Sequence, residues 1–337
     1  MLKNYFKAAP GALLLKRHEV AAVLDLDECI AAVEHAFKLH GEGKTSPPGI
    51  LGIHSRDGGF HIKAGLLELE RTYFVAKINA NFSQNPQRLG LPAIQGAIML
   101  CDGENGYPLA LMDSIEITIQ RTGAATAVAA KYLARPEAQT ATICGCGHQG
   151  RIQLRALAKA LSLKRAFAFD RDESCAQQFA GEMSRELGFE VQAVNDLASA
   201  AKQSEVCVTC TPSRKPLLNR EAITAGTFIA AVGADSPDKQ ELAPALVASS
   251  KIVVDILEQC ATIGDLHHAL EAGLITRAGV HAELGEVVAG KKPGRISSEE
   301  IIIFDSTGMA LQDAAAAVLV YEKALKTEMG IMINFAE

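Results

Sequence analysis

Six residues, Gly145-Cys146-Gly147-His148-Gln149-Gly150, set three glycines at the spacing that lets a backbone turn approach the phosphates of a dinucleotide. An apolar run, Ala141 to Cys144, precedes them, and a helical pattern, Arg151 to Leu161, follows. Asp170 stands 20 residues beyond Gly150, at the end of the next apolar run. Strand, glycine turn, helix and acid in that order suit a pyrophosphate resting on a helix N-terminus, where free N–H groups and the dipole favour an anion. A carboxylate at 170 accepts from a ribose diol and repels a 2′-phosphate, which favours NAD. Arg171 beside it keeps NADP open. The plainer alternative is a glycine turn that holds no nucleotide.

Three charged residues stand in unusual company. Lys77 lies among Phe74, Val75 and Ile78, Arg121 in an Ala-rich helical stretch, and Asp235 just after Val232-Gly233. Lysine and arginine donate charge-assisted hydrogen bonds to a carboxylate, arginine in a bidentate fork. A carboxylate among cations can manage the proton of an amine whose carbon loses hydride. Taken singly, Arg121 reads as a solvated helix residue, Lys77 as an edge-facing charge and Asp235 as a turn or helix cap. The cysteines offer another chemistry. Cys144 and Cys146 flank Gly145, while Cys207 and Cys210 form a CxxC on an apolar run, so neighbouring strands could make a four-thiolate zinc site. Ordinary core cysteines are the favoured reading, and no metal is expected.

The elements that must position these groups follow from the pattern. A chain of 337 residues, 48% hydrophobic, suits two domains. A net charge of −6 and the lack of a long basic run argue against a nucleic-acid partner. No apolar run is long enough to span a bilayer. Lys3, Lys7 and the run Ala12 to Leu15 imitate a signal peptide, but Lys16, Arg17 and His18 interrupt it too early. Eight scattered cysteines point to a reducing, cytoplasmic setting.

Residues 18–40 carry an amphipathic helical pattern broken near Leu26. From Gly49 to Leu111, short Ile-, Val- and Phe-rich runs punctuated by Gly58-Gly59, Asn85-Pro86 and Asn105-Gly106 read as antiparallel sheet. A helix spans Ser114 to Leu133. Strands at Thr140–Cys144, Arg165–Phe169, Glu205–Cys210, Thr227–Val232 and Lys251–Asp255 then alternate with helices as in βαβ units, giving a parallel sheet. Asp313 to Lys326 reads as an amphipathic helix that returns to the first domain.

Several motifs in order resemble the ornithine cyclodeaminase/mu-crystallin family over nearly the whole chain. They are VAKINANF around Lys77, GLPAIQG at 90–96, ITIQRTGAATAVAAKYLA at 117–134, GCGHQG, the TPS at 211–213, VGADSPDKQEL at 232–242, HAELGEVVAGKKPGR at 281–295 and FDSTGMALQD at 304–313. The resemblance implies an α/β protein: a Rossmann-type doubly wound parallel sheet domain at 121–305, and a discontinuous α+β substrate and dimerisation domain at 1–120 and 306–337. It implies a homodimer in which the substrate-domain sheets of two subunits pair. By position, Lys77 and Arg121 clamp the substrate carboxylate, Arg121 also touching the cofactor. Asp235 is the acid/base or amine-orienting group, with Lys77 beside it in catalysis. Gly145, Gly147, His148, Gln149, Asp170, Arg171, Thr211, Ser213 and the turn Val232 to Asp235 line NAD. Ser306 lies near the nicotinamide and Thr307 faces the substrate.

The chain departs from the cyclodeaminase pattern at Gly49, where those relatives carry an arginine, and at Ala93, where a threonine is expected. Lys63 stands where many relatives are apolar. If residues 50–54 and 60–64 form a hairpin, Lys63 could reach the vacancy at Gly49 and bind substrate; the alternative is a lysine snorkelling at a sheet edge. The function so implied is hydride transfer at the α-carbon of a small amino or cyclic imino acid, with an ornithine cyclodeaminase that releases ammonia as the first form. A cyclic ketimine reductase or an alanine dehydrogenase uses the same machinery with net redox change. A mu-crystallin-like binding protein is the non-enzymatic alternative, and Asp235, absent from that branch, argues against it.

Overall fold

The computed structural model describes residues 11–334; Lys3 and Lys7 lie outside them. The chain divides into two compact units. One comprises the described residues up to Ala36, Gly43–Arg121 and those from Met309 onward; the other comprises Phe37–Glu42 and Thr122–Gly308.

The first unit is built on a seven-stranded sheet. Its strands are β1 (Ala12–Leu15), β2 (Gly49–Ser55), β3 (Gly58–Glu68), β4 (Thr72–Asn81), β5 (Ile94–Asp102), β6 (Pro108–Asp113) and β17 (Ile331–Ile333), in the order β17-β1-β6-β5-β4-β3-β2. The run from β2 to β6 is antiparallel, as the punctuated apolar segments require, and β1 joins β6 in parallel. Ala12–Leu15, whose apolar run imitates a signal sequence, is thus a buried strand. The amphipathic pattern breaks where Asp25 caps a new helix: its carboxylate accepts from the Asp27 and Glu28 N–H groups, separating helix Arg17–Val23 from helix Leu26–Gly41.

Strand periodicity gives this sheet two faces. On one, Tyr73, Val75, Lys77, Ile98 and Leu100 are buried, and the helix Ala310–Lys326 covers them. Gly65 on this face admits the close approach, since a Cβ there would meet the Ala310 Cβ at 3.3 Å. On the other face, Leu51, Ile53, Phe60, Ile78 and Met99 are exposed, Leu51 by 54%. Their register (Leu51↔Ile62↔Ile78, Ile53↔Phe60, Ala76↔Met99) makes one apolar stripe across four strands.

The second unit carries an all-parallel eight-stranded sheet in the order β15-β14-β16-β12-β10-β7-β8-β9. The strands are β7 (Thr140–Cys144), β8 (Arg165–Phe169), β9 (Glu190–Ala193), β10 (Val206–Thr209), β12 (Phe228–Ala231), β14 (Lys251–Val254), β15 (Ala282–Glu283) and β16 (Ile302–Asp305). All are short, and the central strands β10, β12 and β16 are buried on both faces, as helices on either side of a parallel sheet demand. From β7 the chain runs outward to β8 and β9, then returns to β10 on the other side. That reversal at β7/β10 is where open α/β sheets bind ligands, beyond the carboxyl ends of the strands. A small parallel pair, β11 (Arg214–Leu218) with β13 (Gln240–Leu242), lies apart from the main sheet.

Candidate functional site

The buried face of the first unit gathers cations. Lys77 on β4 and Lys63 on β3 are directly paired across the antiparallel register, and both are buried. Arg121, near the middle of helix Ile115–Leu133, is buried as well. Lys77 and Arg121 pair with Asp313, in the first turn of helix Ala310–Lys326, and the Lys63 charge acts on it as well. Lys77 Nζ lies 2.8 Å from both Asp313 oxygens, and Arg121 Nε lies 3.0 Å from one of them. Arg121 Nη1 also donates to Gln312 Oε1 at 2.8 Å.

Electrostatics follow from this burial. Burial pushes the Lys77 ammonium down to about 7, Asp313 opposing the fall while Arg121 and Lys63 add to it. Burial alone would favour the neutral Asp313 acid, yet Lys77 and Arg121 hold its carboxyl below the ordinary carboxylate range. The result is a buried group of three cations held by one ionised counter-charge.

The hairpin around Gly58 forms, but its register corrects one expectation. Gly49 faces Ala64 and Ile50 faces Lys63, so a side chain at 49 would leave the sheet on the opposite face from Lys63. Lys63 does not refill the position at 49. It belongs to the cluster as the direct neighbour of Lys77.

In the second unit, the glycine turn leaves β7 at the reversal point. Gly145 has φ +106°, and a Cβ there would sit 2.9 Å from the Cys210 carbonyl oxygen, so both strain and crowding demand glycine. At Gly150 a Cβ would strike the Gly145 oxygen, and Gly147 opens onto free space. Helix His148–Ala160 starts there with no acidic residue in its first turn. An open glycine before an unblocked helix N-terminus fits a pyrophosphate. Asp170 accepts from Cys146 N at 2.8 Å and Asp172 N at 3.0 Å, so the carboxylate that would meet a ribose also fixes the turn. His148 and Arg171 are exposed, and Gln149 is partly buried.

Thr211 and Ser213 follow β10, Val232 and Asp235 follow β12, and Ser306 and Thr307 follow β16, so these residues share the carboxyl edge of one sheet. Ser306 Oγ donates to Asp255 Oδ2 at 2.9 Å, and the Thr307 hydroxyl lies 3.4 Å from Asp255 and Gln259. Asp235 is half exposed and 2.5 Å from Lys239 Nζ, one helical turn's spacing later in the chain. His268 reads the same segment: its Nε2 bonds the Lys239 carbonyl at 2.8 Å.

The cysteines do not assemble as ligands. Strands β7 and β10 are neighbours, yet the Cys210 thiol donates to the carbonyls of Cys144 and Gly145. Burial pushes Cys144 and Cys210 well above the ordinary thiol range.

Sequence reasoning missed three groups: Asp313, Lys239 and Glu241. Asp313 carried one signal, an acid flanked by Leu311, Ala314 and Ala315 in an apolar helix. Glu241 is fully buried on β13.

Comparison with known proteins places this geometry in a family. The model of the ornithine cyclodeaminase/mu-crystallin family matches residues 11–328. The alanine dehydrogenase of Archaeoglobus fulgidus is 40% identical over 324 residues, covering 96% of this chain and 98% of that protein. A solved archaeal alanine dehydrogenase dimer with bound NAD superposes with a TM-score of 0.91 at 40% identity, over 96% of this chain and 99% of that one. The Thermococcus litoralis Δ1-pyrroline-2-carboxylate reductase, solved with NADH and L-proline, gives 0.90 at 36% identity, over 95% and 100%. The chain therefore belongs to the ornithine cyclodeaminase/mu-crystallin family.

Proposed function

We propose that this protein is an NAD(H)-dependent oxidoreductase acting at the amine-bearing α-carbon of a small amino acid or its imine. The observation that carries the reading is the buried cluster of Lys63, Lys77 and Arg121 around Asp313. Three buried cations on one sheet face and one helix make a receptor for a carboxylate, and a small α-amino or α-imino acid presents one. The glycine turn 145–150 supplies the phosphate cradle for a dinucleotide, whose nicotinamide carries the hydride. Asp170 favours NAD, and Arg171 leaves NADP usable.

The chain's own groups do the rest. Lys77 and Arg121 hold and orient the substrate carboxylate, with Lys63 adding a third donor. Asp235 takes or returns the proton of the substrate nitrogen, and Lys239, 2.5 Å away, holds its carboxylate in place.

Net redox chemistry, of the alanine dehydrogenase or cyclic ketimine reductase kind, is the reading we favour over cyclodeamination. The alanine dehydrogenase of Archaeoglobus fulgidus, at 40% identity, and the Thermococcus litoralis reductase, at 36%, support this preference, whereas a solved lysine cyclodeaminase is 28% identical. A homodimer fits the same unit: the exposed stripe of Leu51, Ile53, Phe60, Ile78 and Met99 is an apolar sheet face that a second copy would cover.

The experiment is direct. The protein is mixed with alanine, proline, ornithine and lysine plus NAD or NADP, and with pyruvate plus ammonia or cyclic imines plus NADH or NADPH. Absorbance at the NADH band and ammonia are followed together. A steady absorbance change with one of these supports the oxidoreductase. Ammonia release from ornithine or lysine at constant absorbance would overturn it in favour of a cyclodeaminase.

A further inference from the structure

At the carboxyl edge of the parallel sheet lie four fully buried acids: Glu241, Asp265, Asp305 and Asp255. Burying one carboxylate is costly unless its oxygens are hydrogen-bonded, so four together require a reason. Their bonds supply one. Glu241 Oε1 accepts from Thr211 N at 2.6 Å and Thr211 Oγ1 at 2.7 Å, while its Oε2 accepts from Gly233 N at 2.9 Å. Asp265 Oδ1 accepts from the Glu241 and Leu242 N–H groups. Asp305 accepts from the Asp265 and Leu266 N–H groups. Asp255 accepts from Ser306 Oγ, Gly308 N and Ile256 N.

The turns after β10, β12, β14 and β16 are therefore tied by carboxylates to elements beyond their own strands. Gly233 is a glycine for this reason: a Cβ there would lie 2.5 Å from Glu241 Oε2 and from the Thr211 oxygen. Gly264 is constrained alike by the Asp305 carboxylate. The acids feel one another. Burial, then the Asp265 charge, pushes Glu241 up to about 7, and burial with the Asp265 charge pushes Asp305 well above the usual range. Backbone N–H donors make this arrangement tolerable, and an ordinary fold has cheaper ways to end a strand.

We infer that Glu241 is a positioning residue of the nucleotide site, one carboxylate that fastens the turn after β10 to the turn after β12, with Asp265, Asp305 and Asp255 extending the same tether to residues 306–308. The inference rests on the nucleotide reading proposed above. Fixed turns at a binding edge lower the ordering needed when ligand arrives, so losing the tether weakens binding even where no contacting atom is removed. Glu241→Gln keeps the volume but turns an NH2 donor toward either the Thr211 or the Gly233 N–H, which leaves a buried donor unmet.

The test measures NADH and NADPH dissociation constants by cofactor fluorescence, which no tryptophan obscures, for wild type, Glu241→Gln and Asp265→Asn, well below every melting temperature. Glu241→Gln is expected to weaken the preferred nucleotide about tenfold, and Asp265→Asn less, in the same direction. Substrate KM at saturating nucleotide is expected to stay within about twofold, a split that general destabilisation does not produce. Wild-type affinity in Glu241→Gln overturns the inference while leaving the nucleotide reading intact. No binding of either nucleotide to wild type overturns both. Should the variants not fold, amide exchange in the nucleotide-free wild type decides: Thr211 and Gly233 N–H groups as protected as their strands support the tether, and rapid exchange at both rejects it.

Discussion

Lys77 Nζ lies 2.8 Å from each oxygen of Asp313, although the two residues stand 236 positions apart. Two further cations crowd the pair, and the lysine gives up part of its hold on a proton. Burial brings its ammonium down to about 7, against an ordinary 10.5. The protonated form binds a carboxylate, so affinity is full below about 7 and falls as pH rises through it. The inhibition constant of a simple carboxylate without an amine, such as pyruvate, should be flat from pH 5.5 to 6.5 and rise toward tenfold per unit above about 7.5. A flat profile to pH 9 would show that Lys77 stays charged or takes no part. The folded state also binds fewer protons than the unfolded chain between about 7 and 10.5, so Lys77 contributes stability that grows across that interval.

Lys63 faces Lys77 directly across the sheet. Lys63→Ala is expected to raise substrate KM about tenfold or more while the NADH dissociation constant is unchanged. Its charge also depresses Lys77, so the break in the pH profile should move upward in the variant. Steady-state kinetics from pH 6 to 9 measure both, and unaltered KM would assign Lys63 to the sheet alone.

Asp313→Asn removes the carboxylate that pairs with both Lys77 and Arg121, leaving these buried cations without that counter-charge. Loss of one partner from a buried pair typically costs about 3–5 kcal/mol. Urea unfolding should register a drop of that size, larger than for any exposed acid. A loss below about 1 kcal/mol would mean that water reaches the cluster.

Asp235→Asn keeps shape and loses the base. Turnover is expected to fall at least about 100-fold with nucleotide affinity held, because a proton manager contributes to the step rather than to cofactor binding. Stopped-flow hydride transfer separates the two; a variant with wild-type turnover rejects the assignment.

The exposed stripe of the first unit predicts assembly. Ile53→Glu with Met99→Glu puts two charges on the apolar face, and sedimentation velocity should show a dimer in wild type and monomer in the double variant. A wild-type monomer at micromolar concentration would refute the homodimer.

Much of this architecture is written locally. Alternating apolar runs and turn dipeptides mark the antiparallel region, and apolar strands at βαβ spacing mark the parallel sheet, because strand period and turn chemistry are short-range properties. Gly145 is legible for the same reason: its positive φ and the helix that follows are encoded within six residues. The partners of Lys77 are not. Asp313 sits in a helix whose Ala-rich neighbours say only that it is buried, and nothing nearby says against what. Glu241 is harder still, lying in a three-residue strand with no period to read, its meaning set by N–H groups of turns 30 and 8 residues earlier. The face opposite Lys63 required the register itself, since one residue of slip exchanges the sides of a strand.

Strand β17 pairs Ile331–Ile333 with Leu14–Ala12, and Asp313 joins the same unit from the late part of the chain. During synthesis the parallel sheet is complete once Gly308 has left the ribosome, and it can consolidate before the seven-stranded sheet has its last strand. Until residue 313 emerges, Lys77 and Arg121 have no counter-ion to bury with, so their helix and strands remain wet. The cluster of Lys63, Lys77 and Arg121 is accordingly among the last features to mature, and a message truncated shortly before position 313 would yield a formed parallel-sheet unit and an unfinished first unit.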